Sequence, residues 1–178
     1  IKRDRRTKVR KAERESVVFE EGNNIQHMRE YYDLRCQTTR RNGHQDIPWT
    51  HFRDTWEVMD GTGIVKVFLA KQGDRVGAAQ MAFVYNGYVH LTGVSIADWT
   101  LKEKIPANDF LQWQVLKWAT ETNQKVVDFV GAQPDSQDPK IKSIDQFKAR
   151  WGTEIHKSMK LQVRGNSFKA WAVAIVRR

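Results

Sequence analysis

Hydrophobic positions change period along this chain, and each change marks an element. Val17, Val18 and Phe19 lie in an apolar run from Ser16 to Glu20 that predicts a short strand. Gly22-Asn23-Asn24 turns the chain, and Asn23 or Asn24 can cap a helix starting there. Ile25, Met28, Tyr32, Cys36 and Thr39 then recur at helical spacing. Asn42-Gly43 stops that helix, because both residues tolerate the left-handed conformation. After Pro48, Trp49, Phe52, Trp56 and Met59 share one face of a second helix, a stripe that predicts core packing.

Gly61-Thr62-Gly63 ends the helical period and a sheet region begins. Ile64 to Lys71, Arg75 to Tyr85 and Tyr88 to Ile96 predict three successive antiparallel strands. Gln72-Gly73-Asp74 joins the first two and Asn86-Gly87, a strong type I′ hairpin signal, joins the last two. Residues 97–107 read as a connection, after which Asn108 is expected to cap a helix running to about Asn123. Val126 to Val130 is nearly all apolar, the pattern of a strand buried on both faces. Gly131, Pro134 and Pro139 mark a loop over 131–142. Ser143 is expected to cap a short helix with Ile144, Phe147 and Trp151, ended by Gly152. Ile155, Met159, Leu161 and Val163 predict a half-exposed strand. After a turn at Gly165-Asn166, Phe168, Trp171, Ala172, Ile175 and Val176 predict a last amphipathic helix. The sum is an α/β chain with a mixed sheet.

Composition narrows the class. The 178 residues suit one domain with a sizeable core. They hold no apolar run near the roughly 20 residues that cross a bilayer, and no signal-peptide pattern opens the chain. Cys36 stands alone, so neither an internal disulfide nor a Cys-rich zinc site can form, and a cytoplasmic location is expected. The net charge of +9 is uneven: residues 1–14 carry eight basic side chains against Asp4 and Glu13. Such an arm suits either a grip on phosphates, including those of RNA, or a solvated helix.

Certain residues carry a family resemblance. Val9-Arg10-Lys11-Ala12-Glu13-Arg14 precedes the first strand, and Thr38-Thr39-Arg40-Arg41 closes the first long helix. Pro106-Ala107-Asn108-Asp109-Phe110-Leu111-Gln112-Trp113 and Trp118-Ala119 come next. Val127-Asp128-Phe129-Val130-Gly131 and Phe147-Lys148-Ala149-Arg150-Trp151-Gly152 come last. In this order they resemble the GNAT-like acyltransferases related to the Fem aminoacyltransferases of peptidoglycan synthesis, a group that also holds acetyltransferase-like proteins of polysaccharide operons. The resemblance implies a GNAT-like domain over 16–178, its mixed, mostly antiparallel sheet flanked by helices. It implies that residues 1–15 are a basic helical joint to a preceding GNAT-like domain, in keeping with a chain that opens on Ile1. The implied activity is N-acyl transfer from acyl-CoA, acetyl-CoA included, or a related activated donor, to an amine on a cell-envelope sugar or peptide precursor. Transfer from an aminoacyl-tRNA, with tRNA as partner, and a non-catalytic binding domain stay open beside it.

The resemblance also assigns a site. Thr92, Gly93, Val94 and Ser95 would line the donor cleft, where a lone strand glycine suggests a bulge. A phosphate-bearing donor would meet the start of the helix near Asn108. The Gly-rich phosphate loop of the superfamily is replaced there by Lys102-Glu103-Lys104-Ile105-Pro106-Ala107, so Lys102 and Lys104 would supply cationic contacts. Asp128, expected to be buried with a raised pKa, is the first candidate base. His90 is the second, with a structural role as its plainer reading. Lys148 is the candidate for oxyanion stabilisation, with Arg150 and Gly131 at the acceptor. No tyrosine follows Tyr88, so the tyrosine acid of many GNAT enzymes has no carrier here, and no metal is expected.

Overall fold

The computed structural model describes residues 1–156. The strand expected from Ile155 onward and the last helix through Phe168 and Trp171 fall outside this range, apart from Ile155 and its neighbour. The elements run α1 (Arg3–Arg14), β1 (Val17–Gly22), α2 (Ile25–Arg41), α3 (Trp49–Met59), β2 (Val65–Gln72), β3 (Arg75–Tyr85) and β4 (Tyr88–Leu91). They continue with β5 (Ser95–Ile96), α4 (Asp98–Lys102), α5 (Ala107–Glu121), β6 (Val126–Asp128) and α6 (Pro139–Ala149).

The sheet order is β1-β2-β3-β4-β6, with β5 also pairing β3. All pairs are antiparallel except β4 with β6. Helices cover both faces, as the nearly continuous burial along β3 requires. On one face α2 and α3 bring Met28, Tyr31, Phe52 and Trp56 onto Val67, Leu69, Ala79 and Met81. On the other, α1 and α5 bring Val9, Ala12, Phe110, Leu111 and Val115 onto Phe68, Ala78, Ala82, Val89 and Leu91. Trp151, at the end of α6, joins this second core, and Phe147 packs against it.

Local chemistry sets the boundaries. The Asn24 side chain accepts from His27 N at 3.0 Å and starts α2. Asn86 and Gly87, both at positive φ, turn β3 into β4. Several expectations are corrected. Asn108 does not cap α5; the cap position is Pro106, and Asn108 lies inside the first turn. Ser143 does not cap α6, because Asp138 accepts from Lys140 N at 2.8 Å one turn earlier. The 97–107 connection contains the helix α4. The third antiparallel strand is broken between Leu91 and Ser95. β6 is the last strand of the described sheet and is not buried on both faces, since Val126 is exposed and its neighbours are half-buried. Its apolar run reflects packing of Val127 and Phe129 on one face only.

Candidate active site

The break in the third strand builds the site. Leu91 sits opposite Ala82, and Ser95 opposite Ala79, so four steps on one strand face three on the other. The extra residue is a bulge at Thr92–Val94. On its other side β4 pairs in parallel with β6 only as far as His90 opposite Asp128. Beyond that rung the ladder ends, with residues 92–95 following on one strand and 129–131 on the other. Gly93 is exposed, and a Cβ there would meet nothing within 4 Å.

The C-terminal end of α2 clamps the departing strand. Thr38 Oγ1 accepts from Ile96 N at 3.0 Å and lies 3.3 Å from Ile96 O. Arg41 donates to Ile96 O at 3.2 Å and ion-pairs with Asp98. Gln37 accepts from Asp98 N at 3.2 Å. The Thr38–Arg41 motif therefore acts through the backbone of β5.

Strand alternation sets the side chains at the ladder's end. Val89 and Leu91 point to the α5 core, so Tyr88, His90 and Thr92 face the α2 side. Asp128 joins them: its Oδ2 accepts from the Tyr88 hydroxyl at 3.0 Å and lies 3.4 Å from His90 Nδ1. Its Oδ1 accepts from Val130 N at 2.8 Å. The expected burial of Asp128 is not observed: its side chain is 32% exposed and that of His90 50%. The hydrogen bond to Asp128, then partial desolvation and the carboxylate charge, push the Tyr88 phenol above its ordinary pKa.

Lys148 reaches the same place from α6. Its ammonium donates to the Val130 carbonyl and, at 3.0 Å, to that of Gly131. Val130 has φ +43°, a conformation costly for a β-branched residue, and Gly131 follows at +62°. Lys148 thus holds a strained turn where β6 leaves the sheet. Arg150, two positions on, turns to α1 and pairs with Asp4 at 3.2 Å.

The start of α5 is already occupied by protein charge. Asp109, in the first turn, is buried and ion-paired with the equally buried Arg5 of α1, with Lys8 at 3.7 Å. Burial raises its pKa, and Lys8 and Arg5 pull it back. A carboxylate already answers the helix dipole there. Lys102 and Lys104 are exposed, and the Lys104 carbonyl accepts from Lys11 Nζ at 2.8 Å. Asn108 Oδ1 is buried with no hydrogen-bond partner among the described residues.

The structure thus places Thr92–Val94 at the bulge next to the His90–Asp128 rung, and Gly131 and Lys148 at the turn that follows β6; Ser95, expected at the cleft, is buried. It sets Lys102, Lys104 and Arg150 on other surfaces. Sequence reading missed the buried Gln80, Gln112 and Tyr31 beneath the bulge. For the two amides the signal was a glutamine inside each of two apolar runs, Gly77–Phe83 and Phe110–Trp113. A depression of about 470 Å³ lined by Glu21, Gly22, Trp56, Gly61 and Lys66 lies at the opposite edge of the sheet, beside β1. Among the described residues no helix is long and apolar enough to cross a membrane.

Known proteins agree with this architecture. Residues 1–149 match the family described as acetyltransferase (GNAT) domain, and the chain belongs to that family. FemX is similar in structure, with a TM-score of 0.71 at 15% identity over 86% of this chain and 54% of FemX, so this chain spans about half of FemX. The aminoglycoside acetyltransferase meta-AAC0020 from an uncultured soil metagenomic sample, solved with sisomicin, gives 0.56 at 13% over 82% and 97% of the two chains. AAC(6')-Iy, solved with the bisubstrate analogue CoA-S-monomethyl-acetylneamine, gives 0.57 at 16% over 84% and 99%. Likenesses at these identities establish the shared fold alone. A comparison with curated proteins finds no match.

Proposed function

We propose that this domain transfers an acyl group from an activated donor to an amine in the cleft between Thr92–Ser95 and Phe129–Gly131. The observation that carries this reading is the end of the β4–β6 ladder at the His90–Asp128 rung, beside a bulge whose Gly93 is open to solvent. An extended donor arm fits there as an added strand. The amine lone pair attacks the acyl carbon, the bond from that carbon to the donor sulfur or oxygen breaks, and the amine proton passes to the His90–Asp128 pair. Lys148 places positive charge at the turn after β6, where an oxyanion gains from it. In this reading Lys102, Lys104, Asn108 and Arg150 stand outside the cleft and take no part in the transfer step. The acceptor class we favour is an amine on a cell-envelope sugar or peptide precursor, handled in the cytoplasm. A preceding GNAT-like domain, joined through residues 1–15, would complete the acceptor side.

The likeness to FemX and the carboxylate at the start of α5 favour one second reading, an aminoacyl-tRNA donor that needs no diphosphate docked at that helix. Calorimetric titration with acetyl-CoA, and with acyl-free CoA as control, separates the two. Saturable binding, with acyl transfer lost in Lys148→Ala and Asp128→Ala, supports the CoA reading. Absent binding moves the donor to the tRNA ester, and turnover untouched by both substitutions removes the residue assignments.

A further inference from the structure

A file of four polar side chains crosses the sheet directly under the bulge. From α5, Gln112 donates through Nε2 to Gln80 Oε1 at 2.7 Å. Gln80 in turn donates through Nε2 to the Thr92 carbonyl at 2.6 Å. On the other face, Thr92 Oγ1 donates to the Met81 carbonyl at 2.6 Å and lies 3.3 Å from the Tyr31 hydroxyl. Gln112, Gln80 and Tyr31 are 2%, 4% and 1% exposed.

Stability alone does not account for two buried amides. Each net hydrogen bond is small, and apolar side chains of the same shape serve a core equally well. What the amides do is local. Thr92 N donates to the Met81 carbonyl at 2.9 Å, as in a regular antiparallel pair. Thr92's own carbonyl, however, is taken by the Gln80 side chain. The strand is fastened at that point, and the residues after it leave the β3 register.

We propose that Gln80, aligned by Gln112, is a positioning residue for the acyl donor. It holds Thr92 so that Gly93 and Val94 stay off the β3 ladder and offer their backbone groups to the donor arm. This rests on the acyl-transfer reading above for the identity of what binds. Gln80 touches neither donor nor acceptor; it acts through Thr92.

The test pairs a structural and a kinetic readout on Gln80→Met and the milder Gln112→Met. In the free protein, amide hydrogen exchange at Gly93 and Val94 is followed by NMR. Gln80→Met is expected to slow exchange there about tenfold as the bulge relaxes toward regular pairing. The donor KM is expected to rise about tenfold while kcat stays within about threefold. Gln112→Met moves both readouts the same way by less, and it carries the test should Gln80→Met not fold. Unchanged exchange at Gly93 and Val94, or KM and kcat worsening together, overturns the proposal. A wild-type protein that neither binds acetyl-CoA nor transfers an acyl group instead fails the CoA reading, and the exchange data then still decide whether Gln80 holds the bulge.

Discussion

Arg5 and Asp109 stand 104 positions apart and form a buried ion pair that fastens the basic first helix to the start of α5. The pair makes the opening segment part of the second core, alongside Val9 and Ala12. Removing one partner strands the other's charge in a low-dielectric site. Arg5→Met is therefore expected to cost about 3–5 kcal/mol in urea unfolding, and Arg5→Met with Asp109→Leu much less. Burial raises the Asp109 pKa, so its protonated form favours the folded state, a contribution lost as pH rises through the folded value. Without Arg5 the carboxyl rises further. The deficit of Arg5→Met should shrink when unfolding is followed at about pH 4 instead of about pH 7. An equal deficit at both pH values would contradict the ion-pair account.

The same carboxylate bears on the donor. A diphosphate docked at α5 would lose about tenfold or more in affinity for each charge-assisted hydrogen bond removed. With Asp109 in that place, acetyl-pantetheine should match acetyl-CoA in KM to within about tenfold. Steady-state kinetics with both donors checks this, and a far larger gap would put the diphosphate at the helix after all.

Tyr88 reports on Asp128 without any assay of activity. Its phenol is raised chiefly by the hydrogen bond to Asp128. Asp128→Ala should return that pKa toward the ordinary tyrosine value in an ultraviolet titration, with Tyr88→Phe identifying the signal. The raised phenol favours folding at lower pH, and that contribution fades as pH climbs through its folded value.

Proton transfer at the cleft mouth predicts a shared loss. His90→Ala and Asp128→Ala should each lower turnover by about 10²–10⁴-fold with little change in donor KM. Turnover within twofold of wild type in both would place the base elsewhere.

Thr38→Val removes the hydroxyl that serves both backbone groups of Ile96. It should cost about 1–2 kcal/mol and quicken hydrogen exchange at the Ile96 amide. Unaltered exchange there would show that the Thr38 hydroxyl does not secure the strand.

Much of the frame is legible in sequence because one-sided burial leaves a period. The α2 and α3 stripes and the hairpin at Asn86-Gly87 announce themselves in this way. Local pattern also places Gly93 at a bulge. It fails where long-range contact decides. Asn108 looks like a cap, yet the chain entering from Pro106 puts it inside the helix. Asp128 looks buried among valines, yet its strand ends the described sheet and its side chain lies on the open face. The motif around Lys148 singles it out, but its contact with the Val130 and Gly131 carbonyls has no local signature, because 17 and 18 residues separate the partners. The Gln112–Gln80 bond spans 32 positions and is equally invisible to any periodicity.

The parallel rung between β4 and β6 also has a consequence for the order of assembly. β2, β3 and β4 zip together across tight turns, whereas β6 reaches β4 only across the long connection that holds β5, α4 and α5. Closing so long a loop carries an entropic penalty that neighbouring hairpins escape. The three residue pairs of that short parallel ladder are then expected to form late and to open early. The cleft is therefore bounded on one side by a scaffold that stands early and on the other by a late-arriving segment with little ladder of its own, so local unfolding at this edge loosens the opening before it disturbs the rest of the sheet.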